Sequence, residues 1–293
     1  MIQILVLILV GILAMSALAG LFTLVLILVG VAPNFVQYPQ HIVDPYGVEA
    51  YSLKVYQLIQ AIGLFIIPYV LYRKWMGQSS YSLSLSSTQV RPLVIFAMVV
   101  LSSLPLVNYL AEWNASLPFP GSIQDWIEGR EQAAEALLEL FLRMDTPFDL
   151  MVNFLLIAVV TAFAEEFFFR GTLQPIILRL IPNVHVAIWL TAFLFSFFHL
   201  QFLGFFPRML LGSVFGYAAH WTGSLALPIA GHLVNNGVAV LLTYLIGIET
   251  LSEEAETLGA NEGEWTVALL SGVILLVGMW SVYRQRSAGA RQE

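Results

Sequence analysis

Residues 162–170 read Ala-Phe-Ala-Glu165-Glu166-Phe-Phe-Phe-Arg170, which sets two carboxylates and a guanidinium inside an otherwise apolar run. An ionised side chain in hydrocarbon costs at least about 2.5–3.5 kcal/mol, so charges persist there only when they pair or line a wet cavity. Glu166 and Arg170 are spaced i, i+4 and can pair along one helical face. Glu165 is turned about 100° away around the helix, so the same guanidinium cannot easily neutralise both acids. Two explanations stay open from this stretch alone: a buried structural ion pair with a second Glu at a helix end, or a reactive carboxylate beside a structural pair.

Further along, Phe195-Ser-Phe-Phe-His199 and His232-Leu-Val-Asn235-Asn236 place imidazoles and amides in apolar segments. A lone His in such a helix is more often structural than catalytic. His232 and Asn236 share a face at i, i+4, however, and polar groups on three separate segments can converge. Glu165, His199, His232 and Asn236 are the parts of a water-activating hydrolase. A carboxylate and an imidazole can hold and deprotonate water, while a second imidazole and an amide can stabilise an oxyanion.

The elements that must position these groups follow from composition. Of 293 residues, 59% are hydrophobic and 11% charged, with a mean hydropathy of +0.82. A soluble domain carries about 25% charged residues, so this is an all-α polytopic membrane protein. The absence of Cys excludes disulfides, thiolate catalysis and Cys-ligated metal sites. A net charge of −7 argues against nucleic acid as a partner; the lipid bilayer is the expected one.

Apolar runs of spanning length recur at 3–31, 52–72, 92–111, 149–170, 184–203, 207–222, 225–248 and 264–283, which predicts about eight transmembrane helices. Residues 1–32 read as a retained first span: a signal peptide would carry Lys or Arg ahead of its apolar stretch. Arg73, Lys74, Arg91, Arg170, Arg179, Arg284, Arg286 and Arg291 all fall on one side of this topology. The excess of basic residues makes that side, with both termini, cytoplasmic; a multi-pass protein of a prokaryotic plasma membrane is expected. Residues 77–89, rich in Ser, read as a flexible connector. Ser122-x-x-Asp125 reads as a capping-box variant opening an outer amphipathic helix over 122–143, either interfacial or packed on loops. His41, His185 and His220 receive no role. Three regions are expected: N-terminal spans with the outer segment (1–148), a catalytic core (149–248), and an acidic loop with the last span and basic tail (249–293).

Depth sharpens the expectation. If the fourth span stopped at Arg170, Glu165 would lie about 8 Å and His232 about 10 Å from the cytoplasmic side, yet His199 about 22 Å from the start of span five. They could not meet. The sequence therefore predicts that the helix carrying Glu165 continues past Gly171-Thr-Leu-Gln-Pro175 towards Arg179, in preference to a deeper start for span five.

Other intramembrane hydrolase patterns are missing. There is no HExxH, no span contains an Asp, and in Gly212-Ser213-Val-Phe-Gly216 the Ser falls one position too early for a nucleophile elbow. Through EExxxR at Glu165-Glu166-Arg170, FxxxH at Phe195-His199 and HxxxN at His232-Asn236, the sequence resembles the CAAX protease and bacteriocin-processing (CPBP/Abi) family of intramembrane endopeptidases, which includes the CAAX prenyl proteases. The resemblance covers roughly Asp149 to Ile248. It implies that Glu165 is the general base with His199 sharing the water, that His232 and Asn236 form the oxyanion site, and that Glu166, Arg170 and Phe195 support them. The implied substrate is a hydrophobic or lipidated, in some cases prenylated, peptide or protein. Family members have been described as metalloproteases. The implied cofactor is none or a single divalent metal, and Glu165, His199 and His232 would be the ligands of a zinc ion. Two rivals remain from the residues: a peptide-binding or immunity protein of the same fold without the chemistry, and a proton-coupled transporter.

Overall fold

The computed structural model describes residues 2–28, 48–76, 81, 90–247, 257–261 and 263–289. These residues form the helices α1 (Ile2–Leu28), α2 (48–76), α3 (Val90–Ser102), α4 (Leu104–Ala115), α5 (Gly121–Leu142), α6 (Pro147–Leu180), α7 (Val184–Phe197), α8 (Phe205–Thr222), α9 (Ala226–Gly247) and α10 (Trp265–Gly289). The all-α expectation holds. Six stretches are long and apolar enough to cross a membrane, within α1, α2, α3 with α4, α6, α9 and α10. Among the described residues the expected count of eight is therefore not confirmed, and the difference lies in α7 and α8.

The expected span over 184–203 is interrupted. Helix α7 stops at Phe197 after 14 residues, about 21 Å at the usual helical rise and short of a 30 Å core. The Ser196 hydroxyl donates to the Phe205 carbonyl at 2.6 Å, and Leu200 adopts a left-handed φ of 53°, so the chain turns back into α8. His199 thus sits on a turn rather than inside a span. Close packing of the α7–α8 pair rests on missing side chains: a Cβ on Gly212 would lie 3.2 Å from Ala192 Cβ, and one on Gly216 would lie 2.8 Å from Ile188 Cγ2. Small residues let helix backbones approach where lipid provides no hydrophobic drive.

Helix α6 runs unbroken for 34 residues, which bears out the expected continuation beyond Arg170. It opens on a capping box: Thr146 Oγ1 accepts from the Asp149 backbone N–H at 3.2 Å, and Asp149 Oδ2 accepts from the Thr146 backbone N–H at 3.0 Å. The helix widens into π turns at Phe154–Val160 and Phe169–Leu173. The hydroxyls of Thr161 and Thr172 donate to the carbonyls five residues back, Leu156 at 3.0 Å and Phe167 at 3.2 Å, satisfying groups that a wider turn leaves exposed. Glu165 lies 18 residues from Pro147 and 15 from Leu180, near the middle of the helix.

The proposed Ser122–Asp125 capping box does not form. The Pro120 carbonyl accepts from Ile123 and Gln124 at 2.8 and 2.9 Å, so the helix starts with Pro120 as its cap, two residues earlier, and Ser122 lies inside α5. That helix packs on loops as well as presenting Trp126 outward: Glu131 Oε1 accepts from the Leu203 backbone N–H at 2.9 Å, tying α5 to the α7–α8 turn. His185, given no role, is in the first turn of α7, paired with the Tyr217 hydroxyl at 2.7 Å. The core joins Phe96 and Val100 of α3, Phe215 of α8, Leu227 of α9 and Leu275 and Met279 of α10. Expectations placed on His41, on the Ser-rich connector apart from Tyr81, and on Arg291 lie outside the described residues.

Candidate active site

The centre of the site is Glu166, whose Oε1 accepts from Arg170 Nη1 at 2.6 Å and pairs with His232 Nδ1 at 2.8 Å. Glu166 and Arg170 are fully buried, and His232 is 4% exposed. The expected i, i+4 ion pair is present, and it does more than the sequence suggested by holding an imidazole from α9. An ionised carboxylate can only accept, so Nδ1 of His232 carries the proton in this pair and the ring turns Nε2 the other way. There Glu165 Oε2 lies 3.7 Å from Nε2, too far for a direct hydrogen bond. A neutral imidazole of this tautomer and an ionised carboxylate would present two lone pairs to each other. The gap calls for a proton on Nε2 or for a bridging donor.

Arginine's fork is used on two sides, since Nη2 also donates to the Gly212 carbonyl of α8 at 2.8 Å. One turn on, Gln174 Nε2 repeats the motif on the Gly216 carbonyl at 3.1 Å. Arg170 and Gln174 of α6 thus form a ladder on Gly212 and Gly216 of α8. The two glycines that fail as a nucleophile elbow are the rungs. Phe215, between them, stacks on His232 with ring centroids 5.5 Å apart and planes 21° apart. Sequence reasoning missed Phe215 and Gln174; the only signal was the matched i, i+4 spacing of both pairs.

Phe195 packs beside the site as expected. Its ring meets His199 edge-on at 5.1 Å and His232 at 5.9 Å, and the Arg170 guanidinium carbon lies 4.8 Å from its centroid. A cation against an aromatic face in a desolvated site contributes about 2 kcal/mol. His199 Nδ1 is 2.8 Å from the Phe195 carbonyl; a carbonyl only accepts, so Nδ1 carries the proton and Nε2 is left as a base or acceptor. The short helix and its turn thereby bring His199 beside the same ring as His232.

Asn236 follows His232 by one turn, but its amide is occupied. Nδ2 donates to the Ile157 carbonyl in the first π turn of α6 at 3.1 Å, and Oδ1 accepts from Asn235 at 3.1 Å. Of the four groups expected to converge, His199 and His232 meet at Phe195 and Glu165 lies beside His232, while Asn236 ties α9 to α6. As for a metal, the described residues contain no group of three His, Asp or Glu arranged to hold one. With Nδ1 of His232 held by Glu166 and Nδ1 of His199 held by a carbonyl, each Nε2 would be the nitrogen offered to a zinc ion; the proposed steps rest on the protein groups alone.

Fold and site together define a helical membrane protein with a buried Glu–His constellation suited to hydrolysis. Residues 147–238 match the type II CAAX prenyl endopeptidase Rce1-like family, and this segment opens at the first residue of α6. The resemblance carried by the three motifs is therefore shown over this segment, and it supports a protease of the CAAX type. An uncharacterized protein of Bacillus subtilis (strain 168), YpbD, is 27% identical over 90 residues, covering 29% of this chain and 43% of that protein. No solved structure matches.

Proposed function

We propose that the protein is an intramembrane endopeptidase that hydrolyses a peptide bond in a membrane-associated or lipidated peptide, with Glu165 as general base. One observation carries this: Glu166 is already engaged through Oε1 by both Arg170 and His232, which leaves Glu165 as a second carboxylate, bonded to neither, 3.7 Å from His232 Nε2. A purely structural ion pair needs one acid, and the other would be costly so deep in the helix.

Water bound at Glu165 gives its proton to the carboxylate as its oxygen attacks the scissile carbonyl carbon, and the carbonyl electrons move onto oxygen. His232, held through Nδ1 by Glu166, offers an Nε2–H to that oxyanion, a proton taken up from solvent before the substrate binds and kept through the step. Asn236, one turn along α9, supports His232 by tying that helix to α6 through the Ile157 carbonyl. His199, anchored through Nδ1, lines the site beside Phe195. Collapse of the tetrahedral intermediate expels the amine, which takes the proton from Glu165. Glu166, Arg170 and Phe195 hold these groups in place. The core over 149–248 would supply the chemistry, and the segments 1–148 and 249–293 the surrounding wall. The substrate class follows from the bilayer setting and the family resemblance; prenylation is one form it could take.

The test uses the purified full-length protein in detergent with a quenched-fluorescence peptide library, half of it carrying a C-terminal prenylcysteine. Wild type should cleave and Glu165→Gln should not, with unchanged melting. Cleavage assayed with and without chelator decides whether a divalent metal takes part. Full activity in Glu165→Gln would sink the base assignment. A wild type that cleaves nothing would favour the non-catalytic peptide-binding reading.

A further inference from the structure

We infer that Gln57, on α2 and outside the family match, positions the attacking water on Glu165. The inference rests on the hydrolase reading of the same site. Between α2 and α6 lies a cavity of about 90 Å³ walled by Gln57, Gln60, Thr161 and Glu165, with Ala61 and Phe65 as its apolar side. A water molecule takes about 30 Å³ of liquid volume, so the space holds a few.

The orientation of the Gln57 amide is set by its neighbours. The Thr161 hydroxyl has one proton, and it goes to the Leu156 carbonyl at 3.0 Å; towards Gln57 the hydroxyl can only accept. Gln57 therefore presents its NH₂ to Thr161, at 3.0 Å. Its Oε1 is left over, buried and without a hydrogen-bond partner, and so is Oε2 of Glu165. Two orphaned acceptors on residues of one small cavity require a molecule with two donors, which is what water supplies. Leaving either acceptor unmet costs about 1–3 kcal/mol, and a Leu at position 57 would avoid that cost if packing were the residue's only task.

The step balances without any further reagent. One O–H of the water points to Glu165 Oε2 and the other to Gln57 Oε1, which leaves a lone pair for the carbonyl carbon. As the new C–O bond forms, the first proton passes to Glu165 and the carbonyl electrons go to oxygen. Gln57 keeps the second proton in a hydrogen bond throughout. It is a positioning residue. Thr161 fixes it, and the π turn at Ala61–Ile66 follows it by one helical turn, a feature that often marks functional sites.

The experiment compares wild type, Gln57→Leu, Gln57→Met, Thr161→Val and Glu165→Gln on the same peptide library. Gln57→Leu should lower kcat on the order of 10- to 100-fold while KM stays within about twofold of wild type, with unchanged melting. Thr161→Val should lower kcat similarly, and the double variant should be no worse than either single one, because both act through one amide. Should Gln57→Leu misfold, Gln57→Met carries the same expectation. A wild-type kcat in a folded Gln57 variant overturns this inference alone. A wild type that cleaves nothing, like Glu165→Gln, overturns the hydrolase reading and this inference with it. Independently, an experimental density map that resolves water should show one within reach of both Gln57 Oε1 and Glu165 Oε2; a dry cavity overturns the inference.

Discussion

At the scale of single residues, adjacent glutamates have been given opposite tasks by a rotation of about 100° around one helix. Glu166 faces Arg170 and His232 and is fully enclosed; Glu165 faces the cavity. The two should respond differently to mutation. Glu165→Gln is expected to lower kcat by about 10²- to 10⁴-fold, the usual range for a general base, with little change in melting temperature. Arg170→Met removes the guanidinium bound to Glu166 and leaves that buried carboxylate with His232 alone. Unfolding in mixed micelles should then show a loss of about 3–5 kcal/mol. Arg170→Lys should recover only part of this, since a point charge cannot serve both Glu166 and the Gly212 carbonyl as the fork does.

At the scale of elements, helix irregularity sets the geometry. The π turn at Phe154–Val160 changes the phase of α6 before it reaches Glu165, and it frees the Leu156 and Ile157 carbonyls that Thr161 and Asn236 take up. Deleting the exposed Leu155 should convert this turn to an ordinary α turn and rotate the two halves of α6 by about 100°. Circular dichroism should show the helix content retained while cleavage is lost. On the opposite side of the site, Gly216→Val places atoms against Gln174 Oε1 and Ile188 Cγ2, each 2.8 Å from even a first Cβ. Overpacking of this kind costs about 1–3 kcal/mol, readable as a lower melting temperature.

At the scale of the whole molecule, α7 and α8 act as a short hairpin that carries His199 on its turn, inside a bundle whose other long helices have spanning length. The native chain has no Cys, so single cysteines report topology without background. With the basic loops cytoplasmic, Ser122→Cys should react with a membrane-impermeant maleimide in intact cells and Asn183→Cys only after lysis. The reverse pattern would invert the topology.

The sequence by itself determined what one-dimensional chemistry can encode: the apolar lengths that require helices, the Glu166–Arg170 spacing that requires a pair, and the polar groups too costly to stand in hydrocarbon without a task. Simple rise per residue even required α6 to outrun Arg170, because the reacting groups could not otherwise share a depth. Only the tertiary structure decided which groups meet. That Glu166 orients His232, that α7 is too short to span, that Asn236 answers a π-turn carbonyl, and that Gln57 reaches the cavity from α2 all depend on contacts between residues far apart in the chain. Neither periodicity nor hydropathy contains that information, since packing through Gly212 and Gly216 and the local widening of α6 fix the distances between helices.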